Sequence, residues 1–413
     1  MPYKLTIIIH LIRRIFTLIL LSVISLNLTF GQLKKSARIY HEEAEQALSK
    51  KNHARALELL NECLRIDPYF AAGYYTRGMV KEQLMNSDGA LTDYNIYLEM
   101  RPDHNEVLFS RAILRFNKGQ YELAKSDLQK LILLPAGETT TIFFQHDLYS
   151  SSANKIFTTQ GSNKAYLFNY VGLTETMLKN FNAAIIAFDS AITLNPKDAD
   201  QLVNRGLAKL SNEDFNGAKI DFQLALTLNQ DHSLALYNLG VLAKTHGSLE
   251  DSEKLLNEAI ERNPDLPYPH AQLAYLKYSR GDFKNAILEY DKAILIDSTD
   301  ADYYLNRGLV KEKLKAYTSS LSDFTKAISI KPDFEKAWFS RGNVLTKLNR
   351  LEEAVEDYSL AIIYNPHYAA AYYNRALDRN KLGRTSEACE DLLKATEYGQ
   401  AVDAKIKLKI CKQ

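Results

Sequence analysis

Six arginines in this chain are each followed, sixteen residues later, by an aspartate: Arg77 and Asp93, Arg111 and Asp127, Arg205 and Asp221, Arg307 and Asp323, Arg341 and Asp357, Arg375 and Asp391. Two chemistries fit that pattern. The arginines could form a ladder that grips phosphate, or each could make an ion pair with its own carboxylate. A matched acid for every guanidinium favours the ion pair, a structural role. Other reactive groups are poorly placed for chemistry. The nine histidines are scattered, with no two at metal-ligand spacing, so no metal is expected. Cys63, Cys389 and Cys411 lie too far apart for a short metal motif and are too few for a disulfide scaffold. Paired acids such as Glu42-Glu43 and Glu352-Glu353 suit solvated helix faces. The sequence has no phosphate-binding glycine loop, no His-Glu-x-x-His and no Gly-x-Ser-x-Gly. Neither catalysis nor a cofactor is expected.

The elements that carry these residues show in the proline spacing. Pro68 and Pro102 stand 34 residues apart, as do Pro332 and Pro366, while Pro196, Pro264 and Pro332 are separated by 68. Placing each proline at slot 32 of a 34-residue unit gives ten units. They begin at Ala37, Ala71, Asn105, Ala165, Ala199, Ser233, Pro267, Ala301, Glu335 and Ala369. In every unit slot 8 is Gly or Ala, slot 20 is Ala or Ser, and slot 24 is large and apolar. Slots 20, 24 and 27 follow helical spacing. A turn, often with glycine (Gly119, Gly247, Gly281, Gly383), separates slots 8 and 20. Each unit is thus expected to be a hairpin of two amphipathic helices, closely approached through the small slots. A lone hairpin cannot bury both faces, so neighbours must stack. The arginines occupy slot 7 and the aspartates slot 23 of the same six units, which predicts an ion pair across each hairpin.

The remaining segments read differently. Ile15 to Phe30 is an apolar stretch preceded by Lys4, Arg13 and Arg14, with Gly31 at its end. This pattern predicts a secretory signal peptide over residues 1–31. The alternative is an uncleaved anchor in the inner membrane, although the stretch is slightly short of the roughly 20 residues that span a bilayer. Cleavage would leave 48 basic and 50 acidic residues, net −2, in a periplasmic or extracellular protein without membrane insertion. The whole chain of 413 residues carries a net charge of +1, which argues against a nucleic-acid binder, and its 46% apolar content argues against extended disorder. Between repeats 1–3 (residues 37–138) and repeats 4–10 (165–402) lies an insertion, 139–164. Its β-branched and aromatic runs, Thr139 to Gln145 and Lys155 to Gln160, suit two short strands, with an irregular loop as the alternative. Phe143, Phe144 and Phe157 need burial there. Residues 403–413 form a C-terminal cap segment.

The repeat resembles the tetratricopeptide repeat. The unit with Ala337-Trp338, Gly342, Leu351, Ala354, Tyr358, Ala361 and Pro366 is closest to that pattern. Departures are Gln230 and Ser298 in the proline slot, Pro135 one slot early, and Glu43 at slot 7 of the first unit. The resemblance implies an all-α, right-handed solenoid of about ten hairpins. It also implies a concave groove lined by the first helices, into which slot 6 points. Slot 6 holds Asn204, Asn238, Gln272, Asn306, Ser340 and Asn374 across the last six units. Amides offer donor and acceptor together and suit the backbone of an extended peptide. Tyr237 and Tyr268 would add stacking or apolar contact. The expected function is a non-catalytic scaffold that binds an extended peptide or partner protein. The alternative is an assembly role in an envelope complex, through the convex face or the ends. The partner's identity and the oligomeric state are not legible in the sequence.

Overall fold

The computed structural model describes residues 36–134, 142–146, 153–158 and 164–411. The leader expected over residues 1–31 lies outside them, and so do the side chains of Phe143, Phe144 and Phe157. The described residues form an all-α solenoid of 21 helices with one pair of short strands. The chain divides into two compact units, residues 1–145 with 154–187, and residues 146–153 with 188–413. In the first unit, Ala37–Ser49 pairs with His53–Ile66, Ala71–Gln83 with Ser87–Met100, and Asn105–Asn117 with Tyr121–Leu133. In the second, Ala199–Ser211 pairs with Phe215–Leu228 and Ser233–Thr245 with Leu249–Arg262, followed by Pro267–Ser279 with Phe283–Ile296. Ala301–Lys313 with Tyr317–Ile330, Glu335–Lys347 with Leu351–Tyr364, and Ala369–Lys381 with Thr385–Glu397 complete the series. The fourth repeat contributes Ala165–Met177 and Phe181–Leu194. Each first helix starts at the residue that opens its 34-residue unit.

The turn between the two helices is the same ten times. Slot 15 has a positive φ in every repeat, between 57° and 85°, whether the residue is Gly119, Gly247, Gly281 or Gly383, or Lys51, Met85, Lys179, Glu213, Lys315 or Asn349. The left-handed residue closes the first helix: in repeat 1, Asn52 donates its N–H to the Ala47 carbonyl and Lys51 to that of Leu48. That double bond satisfies two carbonyls otherwise orphaned at the helix end. The next residue often caps the second helix, as Asn52 accepts from the Arg55 N–H and Asp214 from that of Gly217.

The core lies between the helices of each hairpin and between successive hairpins. Slot 24 supplies its largest members, with Tyr94, Phe222, Phe324 and Tyr358 almost fully buried. Their rings rest on the slot-8 residue. A Cβ built on Gly78, Gly206, Gly308 or Gly342 would stand 2.5–2.8 Å from the ring of its own repeat. Leu60, Leu128 and Leu392 leave room for Ala44, Ala112 and Ala376 instead. Slot 20 also faces slot 8, since the Ser320 hydroxyl donates to the Gly308 carbonyl at 2.8 Å. In the insertion the strands are β1 (Ile142–His146) and β2 (Ala153–Thr158), hydrogen-bonded to each other. Their bounds are offset by one to three residues from the β-branched runs.

The cap segment contains a helix, Ala404–Cys411, and here the reading of the cysteines needs correction. Cys411 is bonded to Cys389 on the second helix of repeat 10. The two are 22 residues apart in sequence, and the folding-back of the last helix brings them together. Ile410 is buried against Ala376, Ala388 and Leu392, closing the last hairpin. Cys63 is a free, buried thiol in the apolar interior, and burial pushes its ionisation up to about 11.

Candidate functional site: the ion-pair staples and the first-helix face

The six arginines all meet their aspartates in one geometry. Nε donates to Oδ2 at 2.8–3.0 Å and Nη2 to Oδ1 at 2.6–2.8 Å, a bidentate pair linking the two helices of a hairpin. The carboxylates are almost fully buried and the guanidiniums mostly so. Two further layers were not read from the sequence. First, the remaining Nη1 reaches back one repeat to slot 25. It finds Asn61, Asn95, Asp189, Asp291, Thr325 or Ser359, at 2.5–3.2 Å. Secondly, in five of the six repeats slot 11 brings another cation to Oδ2 at 2.6–2.9 Å: Lys81, Arg115, Lys209, Lys311 or Arg379. The first leaves a trace in the sequence, because slot 25 before each arginine always carries an acceptor, but neither contact follows from the sequence alone. Slot-4 aromatics cover the guanidinium face in several repeats, as Trp338 does for Arg341 at 4.8 Å and Tyr304 for Arg307 at 5.5 Å. With its donors and a face occupied, such an arginine has little left to offer phosphate. The staple ties helix to helix and repeat to repeat.

Repeats 6 and 7 lack this staple. Repeat 6 has Leu239 and Leu255 in the two slots. In repeat 7, Leu273 replaces the arginine and Glu289 the aspartate. Glu289 bonds His270 Nδ1 at 2.7 Å and Lys292 Nζ at 3.1 Å. Burial raises the Glu289 carboxyl, but these two partners outweigh it, so its proton affinity falls below the usual range. This buried His–Glu pair is isolated. Among the described residues no group of three or more His, Cys, Asp or Glu side chains could hold a metal ion.

The slot-6 residues are placed unevenly. Asn204, Gln272 and Asn306 are half-buried on the first-helix face. Asn238 is buried, and its amide donates to the Leu234 carbonyl of its own helix. Ser340 is buried too. Asn374 is half-buried and donates to Asn343 Oδ1 at 2.7 Å, which also accepts from the Tyr358 hydroxyl. Gln272 accepts from Lys244 Nζ at 2.5 Å. The structure therefore brings Gln272 into a cluster that slot 6 alone did not indicate. Tyr237 and Tyr268, half-buried, lie with ring centroids 6.0 Å apart. Tyr303 is buried near them, and its hydroxyl has no hydrogen-bond partner. Burial, then the charge of Asp300 and the neighbouring Tyr268, pushes that hydroxyl far above the ordinary tyrosine range. The Lys244 ammonium sits 4.7 Å from the centroid of the half-exposed Tyr275 ring. No carboxylate pairs with Lys244 among the described residues, and burial lowers its proton affinity. Tyr278 and Tyr373 pack against the core.

This arrangement defines a class: serial helix hairpins held by buried staples, with a face of amides and tyrosines left free of them. Models of the tetratricopeptide repeat match residues 203–267, 301–334 and 335–368, and a TPR repeat model matches 274–315. The chain belongs to the tetratricopeptide repeat family, and the last two full matches coincide with repeats 8 and 9. Its repeat array is a protein-interaction scaffold of a typically non-catalytic kind. No curated protein matches the chain. Among solved structures it is similar to a tetratricopeptide repeat protein from Parabacteroides merdae ATCC 43184, at 17% identity and TM-score 0.46 over 66% of this chain and 98% of that one. It is similar to yeast Tom70 at 14% identity and TM-score 0.39, over 91% and 94%. It is also similar to YrrB, described as a TPR protein with an unusual peptide-binding site, at 21% identity and TM-score 0.40, over 46% and 98%.

Proposed function

We propose that this scaffold takes an extended peptide segment of a partner protein along the first-helix face of its second unit, with repeats 6–8 as the anchor. The observation that carries the reading is the cluster across repeats 6–8: Tyr237 tilted against Tyr268, a buried Tyr303 hydroxyl without a partner, and a half-buried Lys244 without a carboxylate. An orphaned buried donor is costly unless something completes it. A peptide backbone supplies carbonyls to Lys244 and Tyr303 and meets Gln272 and Asn306 in either hydrogen-bonding sense. Tyr237 and Tyr268 add apolar area. Contacts to backbone rather than side chains make selectivity loose. Four such polar contacts of about 0.5–1.5 kcal/mol each fall short of the roughly −8 kcal/mol of micromolar binding, so the apolar area of the tyrosine rings must contribute.

The test is selection of random peptides on immobilised protein. Wild-type protein should enrich binders whose affinity falls at least tenfold with Tyr237→Ala or Lys244→Ala and is unchanged by Ile363→Ser, on an exposed second-helix position. Equal binding by the first two variants would remove the reading and favour assembly through other faces.

The same reading includes export. The Cys389–Cys411 disulfide supports an oxidising compartment, where such bonds persist, in line with the leader expected over residues 1–31. N-terminal sequencing of the protein from its native cell should find Gln32 first, and thiol labelling after unfolding without reductant should find Cys63 alone. An intact leader together with three reactive thiols would refute export.

A further inference from the structure

We propose that the cleft beside Asp357 binds the ammonium group of a lysine side chain from a partner protein. The six staples differ in one respect. In five of them a second cation from slot 11 reaches Oδ2 of the aspartate, and in three of those it is a lysine. In repeat 9 slot 11 is Leu345, and Asp357 keeps only Arg341. A cleft lies there, walled by Leu321 and Leu345 and bordered by Arg350, Glu353, Glu356 and Asp357. The chain thus builds a carboxylate for two cations and supplies one.

The surroundings select the charge and shape of what would complete it. Arg350 is engaged with Glu353 through two hydrogen bonds, at 2.7 and 2.5 Å. Glu356 has no ion pair among the described residues and lies at the exposed mouth. Burial raises the Asp357 carboxyl; Arg341 opposes this, and Glu353 and Glu356 add to the rise. An arriving cation relieves that repulsion. The apolar wall suits a methylene stem carrying an ammonium head. A metal ion fits poorly, since no acidic group here has the arrangement to hold one. The cleft is lined mainly by the second helices of repeats 8 and 9, with Arg341 and Leu345 from the first helix of repeat 9, and shares no residue with the peptide reading.

Carboxyl-carbon NMR of the full chain tests this, with Asp93, Asp127, Asp221, Asp323 and Asp391 as internal controls. Titration with Nα-acetyl-lysine N-methylamide should shift Asp357 saturably and leave the other five unmoved. The norleucine counterpart, lacking the ammonium, should not shift it. Leu345→Lys should abolish the response by supplying the cation internally. Glu356→Gln, at an exposed position that leaves folding unaffected, should weaken binding about twofold to fivefold. No shift of Asp357, or an equal shift with the norleucine probe, overturns the site. Equal or tighter binding of putrescine overturns the assignment to a protein side chain.

Discussion

Repeats 8–10 and repeats 6–7 share one backbone and differ in how they manage polarity. In repeats 8–10 each hairpin buries a bidentate Arg–Asp pair with a third bond to the repeat before it. In repeat 6 the same two slots hold leucines, and in repeat 7 the buried polar pair is the hydrogen-bonded His270–Glu289. The left-handed turn and the small-against-large packing persist through both regions. The staple is therefore not what makes a hairpin. It links the helices of a hairpin and neighbouring repeats, and in repeats 6 and 7, where it is missing, the first-helix face carries Tyr237, Tyr268 and a lysine, Lys244, that has no carboxylate partner among the described residues. Stapled and unstapled repeats are built on the same frame.

The sharpest way to break this comparison is to convert one region into the other. Asp323→Ala leaves Arg307 and Lys311 buried without their carboxylate and should cost about 3–5 kcal/mol. Arg307→Leu with Asp323→Leu installs the repeat-6 pair and should cost less than Asp323→Ala, since apolar replacement of a buried ion pair is often near neutral and Lys311 is then the one cation left without that carboxylate. Denaturant unfolding of wild type, both singles and the double gives the coupling. Additive losses would mean the staple contributes no pairwise stability.

Packing should be blind to the distinction. Ala286→Leu in repeat 7 and Ala354→Leu in repeat 9 both fill a fully buried slot 20 and should each destabilise by roughly 1–3 kcal/mol. An unchanged midpoint for either would show that the helices do not cross tightly there.

The pH response should separate the regions by sign. Glu289 has its proton affinity lowered in the folded state, so its contribution is present above the unfolded pKa and lost as pH falls through the folded one. Asp357 is raised, so its contribution is present below the unfolded pKa and lost as pH rises through the folded one. Native-state amide exchange, corrected for the intrinsic rate, should therefore show repeat 7 loosening in acid and repeat 9 tightening. The same sign in both would contradict the assignment.

The smallest effect is at the turn. Lys315 holds a left-handed conformation that costs an L-residue roughly 1–2 kcal/mol. Glycine removes that cost and adds about 0.5–1 kcal/mol of backbone entropy. Lys315→Gly should gain a few tenths of a kcal/mol, and Gly281→Lys should lose a similar amount in thermal unfolding.

What could be read from the residues was whatever repeats within 34 positions. The hairpin register, the small slots 8 and 20, the large slot 24 and the pairing of slot 7 with slot 23 are all contained in one unit, so their covariation across units shows without coordinates. The turn was legible only in part. Glycine marked it in four repeats, but Lys51, Met85 and Asn349 adopt the same left-handed geometry, because the bonds that close the helix outweigh the strain. The amide ladder at slot 6 was the weakest inference. Spacing places those residues on one face, but a side chain's accessibility depends on its neighbours, and Asn238 and Asn374 find partners of their own.

The sequence by itself determined the repeat, its phase and the hairpin ion pairs, because each is a local property copied many times. Tertiary structure decided the rest: the reach of each Nη1 into the preceding repeat, the second cation at five aspartates and its absence at Asp357, the His270–Glu289 pair, and the bond from Cys389 to Cys411. The physical reason is distance in the chain. Such contacts join side chains of different helices, within one hairpin or between neighbours, and only the packing of helix on helix determines which of them meet.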